Sequence, residues 1–580
     1  MNTPRNPMSI PGTTSFLEEL YVGRLRWDLI SPFPAQDLAD RELGDEVVAE
    51  LRGLLQERVD PDDVERTQRL PDGLVEELQR RGYLKLQLDA DLGGRSLSQF
   101  NTFRVIEAAA TWCVPVALVL AIQNSVGVGP LMRFLSPGPL RDLVRERLLA
   151  GTVCGTADTE PTGAANLRRQ TTATLTEDGE AYLLNGEKIH VGNAPIADLL
   201  IVSATVREGE QEHRRLFVVD TDSPGFEITA WHEFMGVKGF PNGAMTFTDV
   251  RVPKERMLVA RAKDDVRVTV EASAMVIIGR LHMIVAPSLA IAKRCLEWSH
   301  RFVTERAIDG RPLGEYDEIQ RRIAESLADT FAIEAIAEWS LLSPPRTEGV
   351  NALFEQSVAK NIGSVLGWRI AERTMSLLAG EGYETASSKK GRGVRPFPLE
   401  RALRDVRNFR ISGGIDFQLD FWNSQMLIFS YYYPDPDNLA EIESDRLDPS
   451  IEGETRLSER NTEHLRFAAT EVRRYARACR EISLRYQDRR AISAAERPLI
   501  LVSDIANELL TMALVLARAA RLADDSVEGA QELADIHCTA ARHRLADLWQ
   551  RLAARDEPDY AKLSGDWLGD GPTRQLIREV

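Results

Sequence analysis

Residues Gly155 to Leu175 read GTADTEPTGAANLRRQTTATL, and they mark the place where one texture of sequence gives way to another. Upstream, from about Asp45 to Gly151, segments such as VVAELRGLLQERV and LVEELQRRGYL carry apolar residues at helical spacing, broken at VDPDD and LSPGP. Downstream, RQTTATL, AYLLNGEKIHV, LLIVSATV, RLFVVDT and AMTFTDVRV are short β-rich runs separated by turns such as EDGE and DSPG. They predict an antiparallel β domain. Helical patterning returns from about Val266 to Tyr432, notably in RLHMIVAPSLAIAKRCLEWSHRFV and NALFEQSVAKNIGSVLGWRIAERTMSLLAG. The acidic, proline-marked YYYPDPDNLAEIESDRLDPSIEGE reads as a linker, and Leu457 to about Ala554 as further helices.

The expected fold class is therefore α+β and multidomain. It divides into an amino-terminal arm (1–44), a helical domain (45–151), a β domain (152–262), a helical bundle (263–433), a linker (434–456) and a helical extension (457–580). A chain of 580 residues exceeds one ordinary core. Its formal charge of −17, with no long basic run, argues against a nucleic-acid partner, because phosphate contacts need clustered Lys and Arg. The five cysteines (Cys113, Cys154, Cys295, Cys479, Cys538) are odd in number and far apart. They suggest neither zinc nor a disulfide framework. No metal site is expected. MNTPRNPMSIPGTTSF lacks the apolar centre of a secretory signal, and no run is read as long enough to span a membrane, so a soluble cytoplasmic protein is the expectation.

Helical, then β, then helical is an order that licenses no function by itself. The GTADTEPTGAANLRRQTTATL stretch, however, resembles the Thr-Glu-Pro signature of the acyl-CoA dehydrogenase family. The likeness continues through SFLEELYVGRLRWDLISPFP, LLNGEKIHVGNAPIADLLIV, MGVKGFPNGAMTFTDVRVP, TERAIDGRPLGEYDEIQ and LAGEGYETASSKKGRGVRPFPLERALRDVRN, in order from roughly Ser15 to Phe429. The extra helices make it similar to the longer, carboxy-terminally extended members. The resemblance implies FAD, held at the interface of a homodimer or homotetramer. It assigns the turn Ala157-Asp158-Thr159 to the flavin ring, with short side chains and backbone donors against its polar edge. It assigns Arg306, Ser376, Gly380 and Gly382 to the diphosphate arm.

The departures from the family pattern define the reaction problem. Family members use a Glu to remove the α-proton of an acyl thioester, and Gly413, followed by Gly414, stands at that position. Some relatives take the Glu from an earlier helix, at the position of Gly279 just before Arg280. Glu271 lies eight residues earlier, ~12 Å along a helix, and does not substitute. The aromatic that packs on the flavin becomes His190, and the hydroxyl-bearing residue near its reactive edge becomes Gly192. The signature ends Ala164-Ala165-Asn166, the Phe on the adenine side becomes Asp309, and Ile415 and Phe417 replace the Thr and Gln that follow the Glu.

Three residues are candidates for the missing chemistry. Asp416, three residues after Gly413, is either a displaced base on the same helical face or a capping residue, with Asp420 one turn further. His190 is a proton donor or a packed imidazole. Arg410, rather than Arg404 or Arg407, is close enough to the gap to grip a substrate carboxylate or to form a surface ion pair. A substrate that loses carbon dioxide needs no base. The chain accordingly resembles the family's decarboxylating, oxygen-using epoxyketone synthases, whose substrate is a peptidyl β-keto acid; delivery on CoA, on a carrier protein or as the free acid stays open. An N-hydroxylase, an ordinary dehydrogenase with a displaced base, and a non-catalytic scaffold remain alternatives.

Overall fold

The computed structural model describes residues 12–166, 168–258, 274–344, 347–433, 449–486, 488–554, 558–569 and 571–576. Glu271 and most of the expected linker, 434–448, lie outside them. In the amino-terminal domain the helices α1 (Leu38–Arg58), α2 (Gln99–Trp112) and α3 (Val114–Ser125) begin where local chemistry favours it. The Asp37 and Ser98 side chains accept the first free N–H groups of α1 and α2, and Pro115 opens α3, where no donor is needed.

Strands β1 (Cys154–Ala157), β2 (Thr172–Leu175), β3 (Ala181–Gly192), β4 (Leu199–Glu208), β5 (Gln211–Asp220), β6 (Phe226–Trp231), β7 (Asn242–Pro253) and β8 (Met257–Leu258) form one sheet in the order β6-β7-β3-β2-β4-β5-β8, with β1 beside β4. The sheet is mixed, which corrects the expectation of a purely antiparallel domain. β1 and β2 both pair with β4 in parallel. The reason is topological. β3 returns the chain after β2, so β4, placed on the far side of β2, runs the same way as β2.

The second helical layer comprises α4 (Ala286–Thr304), α5 (Asp317–Leu342), α6 (Leu353–Leu378), α7 (Leu399–Phe409) and α8 (Asp416–Tyr431). The extension adds α9 (Glu459–Arg485), α10 (Glu496–Asp524) and α11 (Ala530–Ala553), which share one apolar core with the amino-terminal domain and the bundle. Trp27 Nε1 donates to Glu454 at 3.0 Å, and Arg518 grips Glu338 bidentately at 2.9 and 3.0 Å, so the extension is built into the body of the protein. Three stretches, Val114–Leu131, Ala274–Thr304 and Glu496–Asp524, are long and apolar enough to cross a membrane. This corrects the reading that no run reaches that length. Their apolar windows are 89%, 67% and 78% buried, and they supply the helical core.

Candidate active site

The Thr-Glu-Pro stretch is anchored by a buried ion pair. Lys188 Nζ, fully buried on β3, donates to Glu160 Oε1 at 2.8 Å, while the Gln170 and Thr171 N–H groups donate to the same carboxylate at 2.6 and 2.9 Å. Burial pushes the Glu160 carboxyl up, but the ammonium and the two N–H donors outweigh it and hold it down at about 2. This clamp sets the turn before it. Ala157 is buried in β1, and the Thr159 carbonyl accepts from Ile189 N–H at 3.0 Å. The Thr159 hydroxyl keeps no hydrogen-bond partner among the described residues.

His190 sits at a break in the β3–β7 register with φ +55°, its ring exposed and 4.8 Å from that of His232, with Phe234 beside both. Its N–H donates to His232 Nε2 at 3.2 Å. Three residues on, Asn193 Nδ2 donates to the Val119 and Cys154 carbonyls and ties the end of β3 to α3. A Cβ on Gly192 would lie 2.3 Å from Ile122 Cδ1 and 2.8 Å from Phe240 Cζ. Apolar carbon therefore fills the space that a hydroxyl-bearing side chain would use. Nothing in the sequence near Gly192 announces Ile122 and Phe240, which come from a helix and a loop distant in the chain.

The segment between α7 and α8 is a turn and not a continuous helix. Gly413 and Gly414 have φ of +70° and +107°, a region that favours glycine and ends α7. Asp416 therefore does not share a helical face with Gly413, which corrects that expectation. It opens α8, and Arg410 Nε and Nη2 bind its carboxylate at 2.7 and 2.5 Å. Of the two readings of Arg410, this is the ion pair: its guanidinium is engaged by its own chain. Asp420 is buried further along α8 and accepts from Ser503 and Asn507. Arg404 is held by Glu65, Glu400 and the Met235 carbonyl, and Asp405 accepts from Val237 N–H. Arg407 lies over the Trp368 ring.

The side chain nearest the gap is Arg280. A Cβ on Gly413 would meet Arg280 Cγ at 3.5 Å, and Arg280 Nε donates to the Gly413 carbonyl at 2.8 Å. Its Nη1 is sealed from solvent without a hydrogen-bond partner, and no carboxylate pairs with it among the described residues. Burial lowers its pKa to about 10. Arg280 is followed by a π-helical turn, Leu281–Val285, just before Pro287, whose missing N–H interrupts the regular ladder. Gly279 is packed, since a Cβ there would lie 3.2 Å from Ser125 Cβ and from Val126 Cγ1. On the other side of the turn, fully buried Lys360 donates to the Gly414 and Arg410 carbonyls at 2.7 and 3.3 Å. Burial pushes its ammonium pKa down to about 8. Sequence reasoning used Arg280 only as a positional marker and missed Lys360; both are cations inside apolar helical runs, and that was the available signal.

A second group gathers elsewhere. Arg306 Nη2 binds Glu381 at 2.5 Å, which places it against the short helix Gly380–Tyr383 that holds Gly380 and Gly382. A Cβ on Gly380 would meet nothing within 4 Å, whereas Gly382 packs on Met375. Ser376, one turn earlier, is exposed and donates to Glu372. Asp309 and Gly310 both have positive φ and close the hairpin 307–312, which explains the Asp where an aromatic was expected.

Three family models match in order: the acyl-CoA dehydrogenase N-terminal domain at residues 42–139, the middle domain at 155–250 and the C-terminal domain at 274–417. The probable acyl-CoA dehydrogenase FadE10 of Mycobacterium tuberculosis is 30% identical, over 96% of this chain and 88% of its own length. The chain belongs to the acyl-CoA dehydrogenase family. As a member it is a flavin-dependent oxidoreductase with FAD as its cofactor. Benzylmalonyl-CoA dehydrogenase of Aromatoleum aromaticum is 25% identical over 59% of this chain and 86% of its own length. In fold, an acyl-CoA dehydrogenase of Bacillus anthracis, solved with FAD, superposes with a TM-score of 0.76 at 20% identity, over 97% of this chain and 95% of that one.

The residues present fit FAD. The unpartnered Thr159 hydroxyl and the exposed His190 ring suit a flat heteroaromatic ring with a polar edge. Half-exposed Arg306 beside the open face of Gly380 suits a diphosphate. Among the described residues no hydrogen bond or ion pair joins these two groups.

Proposed function

We propose that this oxidoreductase acts on acyl thioesters that carry a carboxylate on the carbon next to the thioester carbonyl, so that loss of carbon dioxide replaces removal of a proton. The observation that supports this is Arg280, a guanidinium without a carboxylate partner beside the residue where the family base stands. A substrate carboxylate would give Nη1 the charge-assisted bond it lacks. The bond between the α-carbon and the carboxylate then breaks, its electron pair stays on the α-carbon as an enolate, and carbon dioxide leaves. FAD held by the Thr159 turn and Arg306 would accept the hydride that the β-carbon loses, and the product would be an α,β-unsaturated thioester.

Arg280 and Lys360 keep positive charge beside the carbon that becomes electron-rich, in surroundings where such charge is poorly screened. Asp416, tied to Arg410, is not available as a base for an ordinary dehydrogenation. The name of the benzylmalonyl-CoA relative denotes a substrate with the same α-carboxylated thioester. The narrower expectation of a peptidyl β-keto acid, oxygen and an epoxyketone has no residue among those described that selects for it. The separate Thr159 and Arg306 groups suit a cofactor held across two copies of the chain, hence a homodimer. The five buried free cysteines suit a reducing cytoplasm.

The test mixes flavin-loaded protein anaerobically with ethylmalonyl-CoA or butyryl-CoA and follows flavin absorbance and carbon dioxide. Bleaching with one carbon dioxide per flavin is expected for ethylmalonyl-CoA alone. Bleaching by butyryl-CoA overturns the proposal, and no bleaching by either leaves the scaffold reading.

A further inference from the structure

Away from the flavin site, a cavity of about 510 Å³ lies between α6 of the bundle and α10 and α11 of the extension. Its lining is unusual in the polar groups it leaves unanswered. Asn361, 3% exposed on α6, spends its Nδ2 on the Asp416 carbonyl at 2.8 Å and leaves its Oδ1 without a hydrogen-bond partner. His537, 1% exposed on α11, has neither ring nitrogen hydrogen-bonded, its nearest charge being Asp329 at 3.6 Å. Asn507 uses its Nδ2 on Asp420 at 3.1 Å and leaves its Oδ1 unpartnered as well. Leaving buried acceptors unpaired costs about 1–3 kcal/mol each, so the arrangement calls for a donor from outside the chain.

The charges around these acceptors say which kind. Asp420 and Asp504 both face the cavity, and the negative charge of Asp420 helps to raise the Asp504 pKa. Burial pushes Asp420 up to about 6 and Asp504 up to about 7, the charges of Arg551 and Arg369 offsetting only part of the effect on Asp504. Asp504 has no ion pair among the described residues. The cations on the rim are mostly engaged: Arg544 grips Glu508 at 2.6 and 2.9 Å, and Arg551 lies 3.6 Å from Asp547. Arg369, two helical turns along α6 from Asn361, has no ion pair among the described residues. Among the described residues no group of three ligating side chains could hold a metal ion.

We infer that this cavity binds a small organic ammonium compound, with the ammonium among Asp420, Asp504, Asn361 Oδ1 and Asn507 Oδ1, and any anionic end of the molecule at Arg369. Nothing in the oxidation chemistry uses this site. It adjoins the Gly413 turn through the Asn361 bond to Asp416, so its occupant would brace the start of α8.

The experiment uses the flavin-loaded full chain, without acyl substrate, and three probes of one length: 6-aminohexanoate, hexylamine and hexanoate. Calorimetric titration and thermal melting are expected to show 6-aminohexanoate binding most tightly, hexylamine more weakly and hexanoate not at all. The Asp504→Asn variant, a change of nearly equal size and shape that should fold, is expected to lose amine binding at least tenfold. Asp504→Glu, checked by the same melt, should retain it. Failure of both amines to bind, which would leave a water-filled cavity only, overturns the inference. Equal amine binding by Asp504→Asn overturns it too.

Discussion

Lys188 is a fully buried cation and Arg280 a partly buried one with a sealed Nη1, and the protein treats them in opposite ways. Lys188 meets a carboxylate of its own chain at 2.8 Å, and that carboxylate is satisfied in turn by two backbone N–H groups. Arg280 meets only the dipole of the Gly413 carbonyl and keeps a sealed Nη1 with no partner. Charge that serves the scaffold is neutralised internally, because an unpaired buried ion costs several kcal/mol. Charge at the site is left unneutralised, and we read the shortfall as the place of the substrate's own anion.

Glu160→Ala leaves Lys188 buried without a counter-ion and should cost about 3–5 kcal/mol, read by chemical denaturation. The same pair predicts a pH dependence. The Glu160 carboxyl is lowered from 4.5 to about 2 on folding, so its contribution is fully present above pH 4.5 and is lost as pH falls towards 2. A Glu160→Gln variant should show a flatter acid limb than the parent over that window. Next in size, Gly192→Thr forces a Cβ to 2.3 Å from Ile122 and should cost about 1–3 kcal/mol in a thermal melt. Unchanged stability there would mean that Ile122 and Phe240 yield easily.

Gly413→Glu probes the site end. At φ +70° a side chain should cost about 1–2 kcal/mol, and the Cβ has room beside Arg280. The new carboxylate is expected to pair with Arg280, to suppress turnover of ethylmalonyl-CoA, and to permit slow flavin reduction by butyryl-CoA. Retained ethylmalonyl-CoA turnover would separate Arg280 from carboxylate binding. The smallest effect is expected for Arg410→Gln. Its pair with Asp416 is partly solvent-exposed, so the loss should be below about 1 kcal/mol, with the anaerobic reduction rate unchanged.

Much of this architecture could be read from sequence because its determinants are local. Helical periodicity and the β-rich runs depend on neighbours in the chain, whereas the Thr159-Glu160 turn's role and the missing base at Gly413 were legible only through the resemblance to the family. The rest depended on long-range approach. The parallel pairing of β4 with β1 and β2 follows from strand placement and not from any strand's own residues. The pairing of Arg410 with Asp416 required knowing that Gly413 and Gly414 break the helix, after which residues six apart meet. Arg280 gained its meaning only when the fold brought it to Gly413, 133 residues away.

The central claim is tested most directly by single-turnover release of carbon dioxide from ethylmalonyl-CoA, comparing the parent with Arg280→Gln across a range of substrate concentrations. A charge-assisted bond of about 1.5–3 kcal/mol predicts roughly 10- to 150-fold weaker substrate affinity in the variant, with binding of butyryl-CoA unchanged. Equal carbon dioxide release by the two proteins at every concentration would contradict the account.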